Sequence, residues 1–229
     1  MVPASLGTSP WTATLPVDAA QIAKTLTHFV VENEKTARAD LKRIEHPVPL
    51  RELDIRPLPA HPDAGQLRGL LSPALHGHDI GLMSEAGVPA VADPGALLVG
   101  AAHALGIRVV PLVGPSSLLL ALMASGLNGQ QFAFHGYLPV HDGERTAALK
   151  ALEAESAQRN QTQLFIETPY RNQRMLEAII AGCRPATRLC IARGVTTPDE
   201  WIQMRTIADW KTQALPELGK VPTVFLLLA

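Results

Sequence analysis

Apolar positions along the chain recur at two spacings, and the change from one to the other marks out the elements. Residues 18–27 repeat at helical spacing, with Asp18 near the start and Ile22 and Leu26 on one face. The apolar run 28–31 predicts a strand that ends at Glu32. Helical spacing resumes over 35–44 and puts Lys35, Arg38 and Lys42 along one exposed side. Five prolines, Pro47, Pro49, Pro57, Pro59 and Pro62, then read as a long connection. Residues 64–76 predict a helix stopped by Gly77, and 79–84 a buried strand. After a turn-rich stretch to Gly95, a helix over 96–105 closes at Gly106 and residues 107–111 predict the next strand. Another helix follows residues 114–117 and continues to about residue 125. Such strand–loop–helix alternation predicts a parallel α/β sheet, in which ligands gather at the carboxyl ends of the strands.

The second half has a different rhythm. Strands are predicted over 131–135, 163–168, 189–193, 202–207 and 223–228, with helices over 143–157 and 170–181 among the earlier ones. The later strands lack crossover helices, which predicts antiparallel pairing. With the change of character near residues 112–116, the expected fold is two small α/β domains, 1–113 and 114–229.

Composition narrows the class. A chain of 229 residues and 24.5 kDa should bury roughly 70% of its unfolded surface, so it needs no staples. Hydrophobic residues at 47% and charged residues at 18% suit an ordered globule. A net charge of −1 means that any surface for a polyanion must be local. Aromatics at 4% leave no evident base-stacking platform. Cys183 and Cys190 are too few for a disulfide framework and match no common zinc spacing, so buried free thiols are expected. The start lacks a charged region followed by an apolar run, as a signal peptide would have. The longest apolar run, 109–123, is broken by Pro111, Gly114, Pro115 and two serines, so no membrane span is expected. The expectation is a soluble, cytoplasmic protein. Residues 2–8 are loop-like with hardly any strand before them, so a first strand is either cut short or lies upstream.

Two loops are candidates for chemistry, 84–95 and 114–117. Both follow predicted strands and lead into helices, so their amides are placed to hold an anionic group. Gly87 and Gly95 let a ligand approach the backbone. The alternative is that these are ordinary turns and that Ser116 is an ordinary helix cap; with two such loops in adjacent units the readings balance. Neither a G-x-G-x-x-G fingerprint nor a phosphate-binding P-loop is present, which argues against nicotinamide dinucleotides and nucleotide hydrolysis. His76 and His78 flank Gly77 at a helix end, where a favourable dipole contact accounts for them, and no metal is expected.

Three stretches carry a family resemblance: Gly-Leu-Met-Ser-Glu-Ala-Gly-Val-Pro-Ala-Val-Ala-Asp-Pro-Gly at 81–95, Gly-Ile-Arg-Val-Val-Pro-Leu-Val-Gly-Pro-Ser-Ser at 106–117, and Gly-Tyr-Leu-Pro at 136–139. In order and spacing they resemble the tetrapyrrole methylase superfamily, and within it the branch of ribosomal RNA small-subunit methyltransferase I. The opening Val-Pro-Ala-Ser-Leu-Gly and the stretch 29–38 resemble that branch too. The resemblance implies a homodimer of two-domain chains, with S-adenosylmethionine in the cleft between the domains. By position it implies that Ser84, Ala86, Gly87 and Asp93 line the cofactor loop and that Ser116 and Ser117 face the methionine end. Tyr137 and Leu138 would lie by the cofactor, with Ala192 and Pro222 near its adenosine part. The ligand carries a sulfonium, an ammonium and a carboxylate, so carbonyl oxygens, an acid and backbone donors suit it.

The chain also departs from that branch. It has Ser84-Glu85-Ala86-Gly87 for Ser-Asp-Ala-Gly, Glu32-Asn33-Glu34-Lys35 for Glu-Asp-Thr-Arg, and Leu6-Gly7-Thr8 for Ile-Gly-Asn. It stops soon after the last expected strand, and with residues 33–38 and 168–172 it resembles a shorter sister group. Three functions therefore stay open. One is methylation of RNA, at a ribose hydroxyl of small-subunit rRNA or a related RNA, with Glu32 orienting or deprotonating the hydroxyl and Lys35 and Arg38 holding phosphate. The bland reading of those three is a solvated helix start with a salt bridge. The others are methylation of a small molecule such as a tetrapyrrole, and a cofactor-binding protein without catalysis.

Overall fold

The computed structural model describes residues 1–229, in two units, Met1–Ser116 and Ser117–Ala229. The first unit contains α1 (Val17–Thr25), β1 (His28–Val31), α2 (Glu34–Arg43), β2 (Asp54–Pro57), α3 (Ala64–Leu70), α4 (Ser72–Leu75), β3 (Ile80–Met83) and α5 (Ala96–Ala104). Its sheet is wholly parallel, in the order β2-β1-β3, with His28 opposite both Asp54 and Ile80. Phe29 and Val31 of β1 pack with Leu41 and Leu53 on one face, while Val30 packs with Leu67, Leu82 and Leu98 on the other. A strand covered on both faces reads as a continuous apolar run, which is why His28–Val31 shows no alternation.

Local chemistry sets the helix ends. Asn33 Oδ1 accepts from the Lys35 amide at 2.9 Å and the Thr36 amide at 3.4 Å, so α2 begins one residue earlier than predicted. Asp63 and Gln66 form a reciprocal capping box at the start of α3. The predicted helix 64–76 is two helices, because Pro73 cannot continue the hydrogen-bond ladder of α3 and instead sits in the first turn of α4.

Three expectations in this unit are corrected. The buried face of α1 is Ala19, Ala20 and Ala23; Ile22 is 45% exposed, and Leu26 lies beyond the helix in extended backbone. The proline-rich connection contains β2, an edge strand that ends on Pro57, where no ladder amide is required. Residues 107–111 form no strand of the sheet.

The second unit contains α6 (Ser117–Ser125), β4 (Phe132–Tyr137), α7 (Asp142–Arg159), β5 (Thr162–Ile166), α8 (Asn172–Gly182), β6 (Arg188–Arg193), β7 (Trp201–Thr206), α9 (Ile207–Lys211) and β8 (Thr223–Leu228). Its sheet runs β4-β5-β8-β6-β7. β4 and β5 are parallel; β5 with β8, β8 with β6 and β6 with β7 are antiparallel, as the missing crossovers predicted. Central β8 is buried along its whole length. Phe165, Leu189, Ile191, Phe225 and Trp210 fill one face, and α6 covers the other through Leu118, Ala121 and Leu122. The short α9 was not foreseen; Thr206 caps it by accepting from the Asp209 amide, and Trp210 Nε1 donates to the Leu189 carbonyl. No helix of either unit is long and apolar enough to cross a membrane.

Candidate cofactor site

In the first unit three chain segments far apart in sequence meet beyond the carboxyl end of β3. Ala4 and Gly87 form an isolated antiparallel bridge, the Ala4 amide donating to the Gly87 carbonyl at 2.8 Å and the Gly87 amide to the Ala4 carbonyl at 3.2 Å. Gly114 lies on Pro3 so closely that an added Cβ would stand 2.1 Å from the proline Cβ. A Cβ on Gly87 would lie 3.2 Å from the Pro115 carbonyl oxygen and 3.3 Å from Leu6, and Gly87 has φ +73°. Only glycine takes that backbone conformation in that space without strain.

The loop carries more strain than its glycines explain. Ala90 and Ala92 have φ of +67° and +64°, conformations that L-residues other than Asn and Asp rarely adopt. Strain of this kind gathers at ligand sites and switches. Three acids converge on the loop. Glu32 Oε2, at the end of β1, accepts from the Glu85 amide at 2.9 Å, tying strand to loop. Ser84 is buried, its hydroxyl donating to the Ala86 carbonyl at 3.2 Å. Burial raises the pKa of Asp93 to about 6, and Glu32 and Glu85 push the same way against the opposing hydrogen bond with Ser84. A carboxylate whose charge is disfavoured by burial and by neighbouring acids gains by pairing with a cation. Ser116 and Ser117 are half-buried, and their hydroxyls make no intramolecular hydrogen bond.

The expected acceptor-side residues fare unequally. Lys35 is exposed. Arg38 is committed: Nη1 donates to the Leu50 carbonyl at 2.6 Å, and Nη2 lies 3.8 Å from Glu34. These contacts brace α2 against residue 50. Glu32 has one oxygen engaged by the loop. His76 Nδ1 sits 2.8 Å from the Ser72 carbonyl, and His78 stacks on His28 at 5.0 Å.

In the second unit Tyr137 is 59% exposed at the end of β4, where Gly136 has φ +65° and the register with β5 shifts. The Leu138 side chain is in the core with Leu149 and Leu152, and Ala192 is wholly buried, so each offers a ligand only its backbone. Pro222 accepts from the Gly194 amide at 2.8 Å. Sequence reasoning assigned no role to the end of β5. There the buried Glu167 accepts from the Thr168 amide and from Arg171, both at 2.6 Å, and Asn172 donates to the Val221 carbonyl while its Oδ1 has no partner. The run Glu-Thr-Pro-Tyr-Arg-Asn was the available signal, with a charge directly after a strand.

Comparison with solved structures places the fold. The methyltransferase CobJ aligns over 94% of this chain and 88% of its own, with TM-score 0.61 and 22% identity. The cobalt precorrin-4 methyltransferase CbiF aligns over 93% and 88%, with TM-score 0.55 and 14% identity. The chain therefore has the tetrapyrrole methylase fold. No family model matches it. In sequence it is 32% identical over 195 residues to ribosomal RNA small subunit methyltransferase I of Xylella fastidiosa, covering 85% of this chain and 68% of the relative. It is 39% identical over 163 residues to the same enzyme of Mesorhizobium japonicum, covering 69% of this chain and 54% of the relative. The chain belongs to the ribosomal RNA small subunit methyltransferase I family. It spans about half the length of the Mesorhizobium japonicum and Escherichia coli relatives it matches.

Proposed function

We propose that the chain is a methyltransferase that moves a methyl group from S-adenosylmethionine to RNA, at a ribose hydroxyl. The observation that carries the reading is the strained loop 84–95, with Asp93 raised to about 6 beside Glu32 and Glu85, in a chain of a family that uses this methyl donor. The donor supplies a methyl group on a sulfonium, open to displacement by an oxygen nucleophile. The residues present suit it. Asp93 complements its positive charge, the Gly87 backbone admits close approach, and the free Ser116 and Ser117 hydroxyls are donors for its carboxylate. Glu32 Oε2 holds the loop, leaving Oε1 to orient an acceptor hydroxyl. Positioning the acceptor in line is worth roughly 7–11 kcal/mol of the barrier, so little general-base help is required.

RNA as acceptor is supported by the relatives' name and by Lys35 and Lys42, exposed one above the other on α2. A small-molecule acceptor is favoured by one observation: the other cations of α2, Arg38 and Arg43, are bonded within the protein, Arg43 to the Gly7 and Ser9 carbonyls. The test is transfer of labelled methyl from S-adenosylmethionine into whole-cell RNA and into metabolite pools. Label in RNA that falls on Lys35→Ala with Lys42→Ala supports the first reading; label in metabolites alone supports the second; label in neither leaves a cofactor-binding protein. We also infer a homodimer, supported by the outward-facing Leu119 and Met123 of α6, 57% and 78% exposed. A 24.5 kDa species in sedimentation at micromolar concentration would contradict it.

A further inference from the structure

In the second unit two segments close on each other past the carboxyl end of β5. One is the 3-10 turn Pro169–Arg171 that leads into α8, and the other is the stretch 217–221 before β8. Gln173 and Asn172 tie them together. Gln173 Oε1 accepts from the Leu218 amide at 3.2 Å, and Asn172 Nδ2 donates to the Val221 carbonyl at 2.9 Å. Gly219 takes φ +58° to make the turn, and an added Cβ there would meet nothing within 4 Å. Between the segments lies an open cavity of about 440 Å³, lined by Pro169, Tyr170, Gln173, Glu217, Gly219 and Lys220.

The lining suits a ligand that is flat on one part and charged on another. The Tyr170 ring is 78% exposed, and its hydroxyl makes no intramolecular hydrogen bond. Lys220 Nζ stands 5.2 Å from the ring centroid, and no ion pair joins it to Glu217 in the same lining. Gln173 has its carbonyl oxygen taken by Leu218, which leaves its amide hydrogens to donate. The cavity thus offers a π face, an ammonium, a carboxylate and an amide donor. An apolar peptide would use the ring alone, and a free phosphate would use Lys220 alone against the repulsion of Glu217. A nucleotide uses all four: its base stacks, its phosphate meets Lys220, and its base edge donates to Glu217 and accepts from Gln173. Glu217 also sets the direction, because it repels phosphate and accepts base N–H groups.

We propose that this cavity holds one unpaired nucleotide of a single-stranded RNA, with its base on Tyr170 and its phosphate on Lys220, which rests on RNA being the acceptor. A base inside a duplex has both faces covered by its neighbours and cannot take the ring, so the site selects unpaired RNA. Aromatic residues are only 4% of the chain, which excludes a platform that tracks many bases; one ring serves one nucleotide. Pro169 fixes the backbone just before Tyr170, so the ring is presented from a stiff turn and little ordering is required on binding.

Fluorescence anisotropy on the full chain tests it, with a labelled RNA octanucleotide of mixed sequence, single-stranded or annealed to its complement. Tyr170→Ala is expected to weaken single-strand binding roughly fivefold to 150-fold, the loss of one stacked base, while Tyr170→Phe stays within about twofold of the parent. Lys220→Ala should reduce the slope of log affinity against log salt by about 0.7. Binding of the duplex should be the same in Tyr170→Ala as in the parent. Single-strand affinity that Tyr170→Ala leaves unchanged overturns the proposal, as does a loss in Tyr170→Phe equal to that in Tyr170→Ala. Acetylation of the parent chain by acetic anhydride gives an answer without any variant: the single strand should protect Lys220 and not the exposed Lys211, and equal labelling of Lys220 with and without RNA overturns the proposal. Methyl transfer separates this site from the reading it rests on. Label entering RNA at the parent rate in Tyr170→Ala, at RNA well below saturation, overturns the site and leaves RNA as the acceptor; label confined to metabolites overturns both.

Discussion

Asp93→Asn is expected to stabilise the free protein while weakening cofactor binding. Burial, Glu32 and Glu85 raise the Asp93 pKa from 3.8 to about 6, so its ionised form costs the fold stability. Two pKa units correspond to about 3 kcal/mol. Asp93 is partly open to solvent, and screening brings a realistic figure to about 1 kcal/mol. Because the folded pKa is the higher one, the cost is fully present above pH 6. It fades as pH falls toward 3.8 and is gone below it, where both states are protonated. Asparagine keeps an acceptor for Ser84 and removes the charge. Thermal unfolding at pH 7.5 should therefore show Asp93→Asn melting roughly 2–4 °C above the parent, with the gain vanishing by pH 4. Binding should move oppositely. Loss of a charge-assisted contact is worth about 1.5–3 kcal/mol, a roughly tenfold to hundredfold weaker Kd. Parent binding should also weaken as pH falls below 6. A variant less stable at pH 7.5, or a gain that persists at pH 4, would refute the electrostatic reasoning.

Other expectations follow from single contacts. Gly87→Ala puts a side chain at φ +73° and 3.2 Å from the Pro115 carbonyl, which should cost about 1–2 kcal/mol and lower Tm by roughly 2–8 °C in a thermal melt. Because the backbone itself is strained there, a bulkier Gly87→Val should impair folding as well as binding. Glu153 is buried and accepts from the Arg184 amide at 2.7 Å and the Thr187 hydroxyl at 2.5 Å; Glu153→Ala strands both donors and should cost about 3 kcal/mol in urea unfolding. If RNA is the acceptor, Lys35→Ala with Lys42→Ala should reduce the slope of log affinity against log salt by about 0.7–0.9 per lost phosphate contact, without changing cofactor affinity.

The sequence made much of this fold legible where burial was two-sided or pairing was local. β1, β3, α5 and α6 stand where apolar runs and their glycine stops put them. β2 was hidden because Pro57 and its neighbours look like a connection, and only the parallel partner β1 makes Asp54–Pro57 a strand. Residues 107–111 have strand-like character but no ladder, because Met1 alone reaches them. Composition cannot show that. The loop 84–95 was legible from its glycines and its Asp-Pro-Gly, while the left-handed Ala90 and Ala92 were not, since alanine carries no sign of that conformation. Arg38 and Lys35 look alike in the sequence; only a carbonyl twelve residues away, on Leu50, distinguishes a brace from a free cation.

Titration calorimetry with S-adenosylhomocysteine tests the central claim most directly. One site per chain is expected, unaffected by a chelator, with Kd weakened at least tenfold by Asp93→Asn and weakening as pH falls below 6. No detectable heat at high micromolar ligand, or binding that Asp93→Asn leaves unchanged, would contradict it.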